Sequence, residues 1–160
     1  MLRIDRGLVE SMVAHARADH PDEACGVLPG AEGTDVPARF VPMMNAERSP
    51  TFYRFDSGEQ LRVWRAMAAA DEAPVVIYHS HTATEPYPSR TDSSLAGEPD
   101  AHYVLIGTAD PGRALVCSYR IVDAVISAEP VLVIGDDDGA GPAFVAPDLA
   151  SENHPANGKE

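Results

Sequence analysis

The sequence is poor in several features that mark particular classes of protein. Its 160 residues include two cysteines, Cys25 and Cys117, which lie in no Cys-x-x-Cys pair. Two cysteines cannot build a disulfide framework, and the lack of a Pro-Cys-x-x-Cys segment excludes a zinc deaminase. No stretch approaches the roughly 20 apolar residues that cross a membrane, and residues 1–10 contain no apolar signal-peptide core. We therefore expect a cytoplasmic protein with no membrane partner.

Basic residues are also scarce. Twelve Lys and Arg stand against 25 Asp and Glu, which gives a net charge of −13. A surface of this sign repels phosphate backbones, so nucleic acid is not an expected partner. Hydrophobic residues make up 44% of the chain and charged residues 23%, which is typical of a globular protein with a buried core.

Hydrophobic periodicity predicts a mixture of short strands and helices without strict βαβ alternation, which indicates an α+β fold. A first helix should follow Asp5 and stop near His20, and a second should open with the capping box Ser57-x-x-Gln60 and end near Pro74. The apolar stripe of the second helix is predicted to contain Leu61, Trp64, Met67 and Ala68. Further predicted elements are a short helix at 90–97, strands at 1–4, 25–28, 36–44, 75–81, 102–108, 114–121 and 131–134, and an extended piece at 51–55.

The composition changes at residue 135, where Gly, Pro, Ala and Asp become frequent. We expect one domain over residues 1–134 and an acidic C-terminal tail over residues 135–160 that lies outside it. The tail should be either mobile or docked through Phe144, Val145 and Leu149.

The stretch from Val75 to Ala96 carries the candidate chemistry. His79 and His81 stand two residues apart at the end of a β-branched strand, so both side chains point to one face and can meet one ion. A seven-residue loop leads to Ser89 and Asp92. Ser-x-x-Asp is typical of a helix start, from which the Asp92 carboxylate could reach back toward the two histidines.

Two imidazoles and one carboxylate make a three-ligand set that leaves the fourth position of a zinc ion to water. Zinc lowers the pKa of that water to about 7, and Ser89 is a candidate donor to the oxyanion. The residues alone also allow Ser89 to be only an N-cap and Asp92 only an acid favoured by the helix dipole. The general base stays open among four acids, Asp22, Glu23, Glu47 and Glu85.

The pattern His-x-His, seven residues, Ser-x-x-Asp is the signature of the JAMM (JAB1/MPN+) metallopeptidases, which this chain resembles with no departure in spacing. Segments 20–28, 45–61, 75–92 and 100–106 resemble the prokaryotic branch that acts on ubiquitin-like sulfur-carrier proteins. The resemblance covers about residues 1–134. It implies an α+β fold of the JAMM/MPN, cytidine-deaminase-like type, in which helices flank a mixed β-sheet.

The resemblance also implies the roles of individual residues. One Zn²⁺ per chain would be held by His79, His81 and Asp92, while Glu23 would act as general base and acid and Ser89 would donate to the oxyanion. Four further residues are candidates for substrate binding, namely Cys25, Asn45, Phe52 and Ser80.

The implied reaction is hydrolysis of the amide bond after the C-terminal Gly-Gly of a small ubiquitin-like sulfur-carrier protein, which releases cysteine for sulfur transfer or cysteine biosynthesis. The edge-like segments 36–44 and 51–55 could add a substrate strand. Alternatives are an isopeptidase that removes a ubiquitin-like protein from lysine, a RadC-type domain, which the net charge disfavours, and a metal-free MPN scaffold, which would lack the ligands. A homodimer is left open.

Overall fold

The structure is a computed structural model that describes residues 1–147. Within these residues it has nine strands and three helices. In chain order they are β1 (Leu2–Asp5), α1 (Arg6–Asp19), β2 (Cys25–Ala31), β3 (Val41–Met43), α2 (Ser57–Ala69), β4 (Glu72–His81), α3 (Arg90–Leu95), β5 (His102–Gly107), β6 (Ala114–Val122), β7 (Val125–Glu129), β8 (Val131–Ile134) and β9 (Phe144–Val145).

A seven-stranded mixed sheet holds the candidate chemistry. Its strand order is β3-β2-β4-β5-β6-β7, and β9 pairs with β6 at one side. Strand β4 lies at the centre, antiparallel to β2 and parallel to β5. Strands β1 and β8 form a separate parallel pair. The mixed sheet with few helices confirms the predicted α+β class.

The two faces of the sheet carry separate hydrophobic cores, because successive side chains of a strand point to opposite faces. Helix α1 packs on the face that includes Tyr78 and Val104, and it buries Val9, Met12, Val13 and Ala16. Helix α2 packs on the other face, where Met67 lies in the cluster that contains Ile77. His79 and His81 follow Ile77 at intervals of two and therefore open on the α2 side.

Helix α2 differs from its prediction at both ends and in its buried face. Asp56 caps the helix in place of Ser57, since its side chain accepts a hydrogen bond from the Glu59 nitrogen at 2.9 Å. Leu61 is 52% exposed, and the contacts to the core come from Val63, Trp64 and Met67. Residues 72–74, predicted to end the helix, instead start β4. Pro74 pairs there with Pro29 of β2, next to a shift in register between Leu28 and Pro29.

Several strand predictions also need correction. Strand β3 spans three residues in place of the predicted nine, although it lies at the sheet edge as expected. Segment 51–55 forms no strand, and its one bridge joins Phe55 to Asn45. Strand β7 was not predicted because its sequence lacks the alternation of apolar and polar residues that marks a strand with one buried face. Most of its side chains are exposed, including Val125 at 64%.

The segment after residue 134 returns to the sheet. Phe144 and Val145 pair in parallel with Ala114 and Leu115 of β6, and the Arg6 guanidinium lies 5.2 Å from the centre of the Phe144 ring. Of the two arrangements predicted for the tail, this is the docked one as far as residue 147; Leu149 lies outside the described residues. Over residues 1–147, no helix has both the length and the apolar character needed to span a bilayer.

Candidate metal centre

The two histidines predicted as ligands converge at the end of β4. His79 is 2% exposed and His81 is 7% exposed, and their Nε2 atoms lie 3.2 Å apart. Their backbone is fixed on both sides, because β2 pairs with His79 through Cys25 and β5 pairs with His81 through Gly107. The central strand therefore holds both imidazoles with little freedom to separate.

The third candidate ligand, Asp92, lies in the first turn of α3. The Ser89 nitrogen donates to Asp92 Oδ2 at 2.7 Å, and the Asp92 nitrogen donates to Ser89 Oγ at 3.0 Å, which completes the capping box. This reciprocal cap fixes the Asp92 carboxylate. Its Oδ2 atom lies 3.4 Å from Nε2 of His79 and 3.4 Å from Nε2 of His81.

The three atoms form a nearly equilateral triangle with edges of 3.2 to 3.4 Å. A tetrahedral zinc ion with bonds of about 2.0 to 2.1 Å places its ligand atoms about 3.3 Å from one another. The group of His79, His81 and Asp92 could therefore hold a metal ion without rearrangement. Two imidazoles and one carboxylate leave a fourth coordination position free for water or substrate.

Protonation of these residues also fits a metal site. Burial lowers the pKa of His79, which favours the neutral imidazole that a metal requires. Burial alone would raise the pKa of Asp92, but hydrogen bonds from His79 and His81 outweigh it and hold that pKa well below its usual range. The carboxylate is therefore anionic at neutral pH.

The two imidazoles differ in what supports them. His81 Nδ1 lies 2.9 Å from the carbonyl oxygen of Glu85, so it donates its proton there and leaves Nε2 free to bind a metal. His79 Nδ1 is buried and has no hydrogen-bond partner among the described residues. The Tyr53 ring instead stacks on His79 with 4.3 Å between ring centroids and 24° between planes.

Glu23 stands just before β2 and is 5% exposed. Burial raises its pKa to about 7, and the neighbouring charge of Asp92 adds to this effect while that of His81 opposes it. A carboxyl group with a pKa close to neutral suits a general base. Glu23 is thus the one buried acid among the four candidates, since Glu47 and Glu85 are exposed and Asp22 is half-buried.

The Glu23 backbone is anchored at three points. Its nitrogen donates to the Ser49 carbonyl at 2.9 Å, and its carbonyl accepts from Asn45 Nδ2 at 3.0 Å. The nitrogen of the next residue, Ala24, donates to Ser80 Oγ at 2.8 Å. These bonds tie the acid to β4 and to the loop after β3.

The structure places Asn45 and Ser80 in supporting positions. Ser80 is fully buried, and its position on β4 points it to the face opposite His79 and His81. Asn45 is 6% exposed, and its amide donates to the carbonyls of Glu23 and Phe52 while its oxygen accepts from two backbone nitrogens. Both side chains are engaged in holding the backbone, and a role of either in substrate binding stays a prediction.

The other two substrate-binding candidates differ in exposure. Cys25 pairs in register with His79 and is fully buried, and its thiol lies 3.7 Å from the Met43 carbonyl. Burial raises the pKa of the Cys25 thiol, which keeps it protonated and poorly nucleophilic. Phe52 is half-buried and lines a cavity beside Asp92.

This cavity has a volume of about 270 Å³ and reaches from Asp92 to α2. Aromatic and aliphatic side chains dominate its wall, including Phe52, Tyr53, Phe55, Trp64, Ile77 and Tyr103.

Tyr53 was not predicted from the sequence as a residue of the site. The run of aromatic residues at 52–55 was the available signal, but nothing in the sequence shows which of them turns toward His79.

A second cavity of about 380 Å³ lies beside Glu23 and has a more polar wall. Three acids, Asp19, Asp22 and Glu23, line it together with Asn45 and Arg48. The candidate centre therefore lies between two spaces of different character, one apolar on the Asp92 side and one polar on the Glu23 side.

Comparison with known proteins identifies the family. Residues 5–121 match the model described as prokaryotic homologs of the JAB domain. The solution structure of protein DSY2949 from Desulfitobacterium hafniense is 30% identical, has a TM-score of 0.74, and covers 88% of this chain and 97% of its own. The chain belongs to the prokaryotic JAB family, and the predicted JAMM/MPN-like fold is confirmed.

Two relatives of this chain have named peptidase activities. The CysO-cysteine peptidase of Mycobacterium tuberculosis is 70% identical over 134 residues, which are 84% of this chain and 92% of that protein. A probable TtuB-protein conjugate cleaving protease of Thermus thermophilus is 31% identical over 109 residues, which are 68% of this chain and 71% of that protein.

Proposed function

We propose that this chain is a zinc metallopeptidase that hydrolyses the amide bond after the C-terminal Gly-Gly of a ubiquitin-like sulfur-carrier protein and releases cysteine. The observation that carries the chemistry is the triangle of ligand atoms from His79, His81 and Asp92, whose edges fit one tetrahedral zinc ion. The 70% identity to a CysO-cysteine peptidase supports this choice of substrate.

Zinc at this centre would supply a Lewis acid for the scissile carbonyl and a water whose pKa is about 7. Glu23 accepts the proton of the attacking water and donates it to the leaving amine. Ser89 donates its hydroxyl proton to the developing oxyanion, which its cap leaves available because Ser89 Oγ acts toward Asp92 only as an acceptor. Ser80 and Asn45 hold the Glu23 backbone in place through the bonds described above.

The proposed substrate fits the shape of the centre. A Gly-Gly terminus has no side chains, so its scissile carbonyl can approach buried ligands closely. The leaving amine must lie beside Glu23 to receive a proton, which places the acyl side toward Ser89 and Asp92. The apolar cavity beside Asp92 could then accept an apolar side chain of the carrier tail.

An isopeptidase acting on lysine conjugates is the second candidate, favoured by the similarity to the Thermus thermophilus conjugate-cleaving protease. The two activities share one mechanism and differ in the leaving amine. The cytoplasm is the proposed location. The catalytic unit is proposed to be residues 1–134, with residues 135–160 as a tail. Whether the protein forms a homodimer is left open.

The deciding experiment offers the purified protein two substrates, a carrier–cysteine adduct and a lysine-linked ubiquitin-like conjugate. Mass spectrometry should show the loss of one cysteine residue from the first and no change in the second. Cleavage of the lysine conjugate alone would replace the proposed substrate with the isopeptidase alternative. Metal analysis should find one zinc per chain, and no zinc together with no cleavage would contradict the proposed function.

A further inference from the structure

The support of His79 differs from that of other metal-binding histidines. A ligating histidine usually donates its second ring N–H to a carbonyl or carboxylate, which fixes both its tautomer and its orientation. His81 follows this rule through the Glu85 carbonyl. His79 does not, because its Nδ1 atom is buried and lacks a hydrogen-bond partner within residues 1–147.

This difference has a physical consequence. A neutral His79 that binds through Nε2 must carry its proton on Nδ1, and that N–H has no acceptor in the part of the chain that the structure describes. Once Nε2 of this tautomer binds the metal, neither ring nitrogen of His79 makes a hydrogen bond to the described residues, so none opposes rotation of the imidazole about its χ2 angle. Packing must fix the ring instead.

The contact that can do so comes from Tyr53. Its ring covers the His79 ring nearly in parallel, with the centroids 4.3 Å apart. Tyr53 is held in turn by an edge contact with Phe55, at 5.7 Å between centroids. Asn45 also fixes the residues on either side of Tyr53, because its amide donates to the Phe52 carbonyl and its oxygen accepts from the Arg54 nitrogen. The Tyr53 ring therefore belongs to a segment that is fixed by its own contacts.

We infer that Tyr53 is a positioning residue that holds His79 in its metal-binding orientation by ring stacking, in place of the missing hydrogen bond. The inference rests on the proposed metal site and adds to it a residue from outside the signature motif. It assigns the role to the aromatic ring and not to the hydroxyl group, which has no hydrogen-bond partner among the described residues. Loss of the ring should weaken metal binding, and loss of the hydroxyl should not.

The test compares zinc affinity in three variants by competition with a chromogenic chelator. Tyr53→Leu removes the stacked ring and should weaken zinc binding about threefold to tenfold, as expected for one aromatic pair. Tyr53→Phe keeps the ring and should bind zinc like the unaltered protein. Phe52→Leu is the matched control, because Phe52 is half-buried in the same segment and makes no ring contact with His79.

A second measurement separates positioning from a general loss of structure. Cobalt replaces zinc in such sites, and its visible absorption should change in Tyr53→Leu and stay unchanged in Tyr53→Phe. If Tyr53→Leu does not fold, Tyr53→Met, which keeps a flexible apolar chain, takes its place. The inference is overturned if the variant without the ring binds zinc as tightly as the unaltered protein, or if all three variants weaken binding equally. Failure of the proposed metal site would look different, because the unaltered protein would then bind no zinc.

Discussion

Ser80 and Ala24 exchange two hydrogen bonds that join the ligand strand to the segment of the candidate base. The Ala24 nitrogen donates to Ser80 Oγ at 2.8 Å, and the Ser80 nitrogen donates to the Ala24 carbonyl at 2.9 Å. Ser80 lies between the two histidines, and Ala24 directly follows Glu23. One residue of β4 thus connects the candidate metal ligands to the candidate base.

Ser80→Ala tests this relationship. The change leaves the buried Ala24 N–H without an acceptor, which should cost about 1 to 3 kcal/mol of unfolding free energy. It should also lower kcat by displacing Glu23, while zinc stays bound because both histidines keep their places. Denaturant unfolding, kinetics and metal analysis measure the three effects. Ser11→Ala is the control, because it removes a half-buried hydroxyl of α1 that donates to the Gly7 carbonyl within the same helix. An unaltered kcat in Ser80→Ala would contradict the positioning role.

Glu23→Gln should abolish turnover and leave the zinc content unchanged. The amide keeps the size of the side chain but cannot accept the proton of the attacking water. Glu47→Gln is the control, since Glu47 is an exposed acid paired with Arg54. Kinetics and metal analysis of the same preparations check both statements. A Glu23→Gln protein without zinc would mean that Glu23 is itself a ligand.

Ser89→Ala should lower kcat about 10²- to 10³-fold, the usual cost of one oxyanion donor. The variant also loses the N-cap of α3, worth about 1 kcal/mol. Ser94→Ala on the exposed side of α3 controls for effects on the helix alone. If the rate falls only because Asp92 moves, zinc content should fall with it, and this combination would leave Ser89 as a cap.

The signature residues could be predicted from the sequence because their geometry is local. The period of a strand brings His79 and His81 to one face, and the capping box that orients Asp92 spans four residues. The general base was different. Spacing left four acids open, and burial distinguishes Glu23 from the others only after β2, β4 and the loop with Asn45 come together.

Features that depend on contacts between distant segments were not predicted. Tyr53 and His79 are 26 positions apart, and no short-range pattern indicates which aromatic residue of 52–55 faces the site. The buried face of α2 was misplaced because Leu61 suits the periodic stripe but is 52% exposed and is not part of the cluster that contains Val63, Trp64 and Met67. Strand β7 was missed because its side chains are mostly exposed, so hydrophobic alternation gave no signal.

Glu129 should make the protein less stable in acid. Burial alone would raise its pKa, but hydrogen bonds from His102, the N-terminal amine and Ser118 outweigh burial and hold the pKa at about 2. A depressed pKa contributes stability above the unfolded value of 4.5, and this contribution disappears as the pH falls from 4.5 toward 2. At about 1.4 kcal/mol per pH unit this shift corresponds to at most roughly 3 kcal/mol, and solvent screening lowers the contribution.

Denaturant unfolding between pH 7 and pH 2 measures this contribution. Glu129→Gln should have a flatter profile between pH 4.5 and pH 2 than the unaltered protein. Asp123→Asn removes an exposed acid from the turn between β6 and β7 and should leave the profile unchanged. Parallel profiles for the unaltered protein and Glu129→Gln would mean that these hydrogen bonds do not stabilise the carboxylate.

Glu23 should destabilise the metal-free protein at neutral and alkaline pH, because its buried environment disfavours the carboxylate. Burial raises its folded-state pKa from 4.5 to about 7. A carboxyl group with a raised pKa favours folding while it is protonated, so stability should be highest below pH 4.5 and fall as the pH rises through 7. At about 1.4 kcal/mol per pH unit the loss is at most about 3 kcal/mol, and solvent screening makes it smaller. Glu23→Gln removes the titration. In the presence of a chelator this variant should therefore be more stable than the unaltered protein at pH 8, by up to that amount, and nearly equal to it at pH 4.5.

Denaturant unfolding at the two pH values gives the difference directly, and Glu47→Gln serves again as the exposed control. An equal stability of the two proteins at pH 8 would show that the Glu23 carboxylate is fully solvated, which would also remove the reason for a pKa suited to proton transfer.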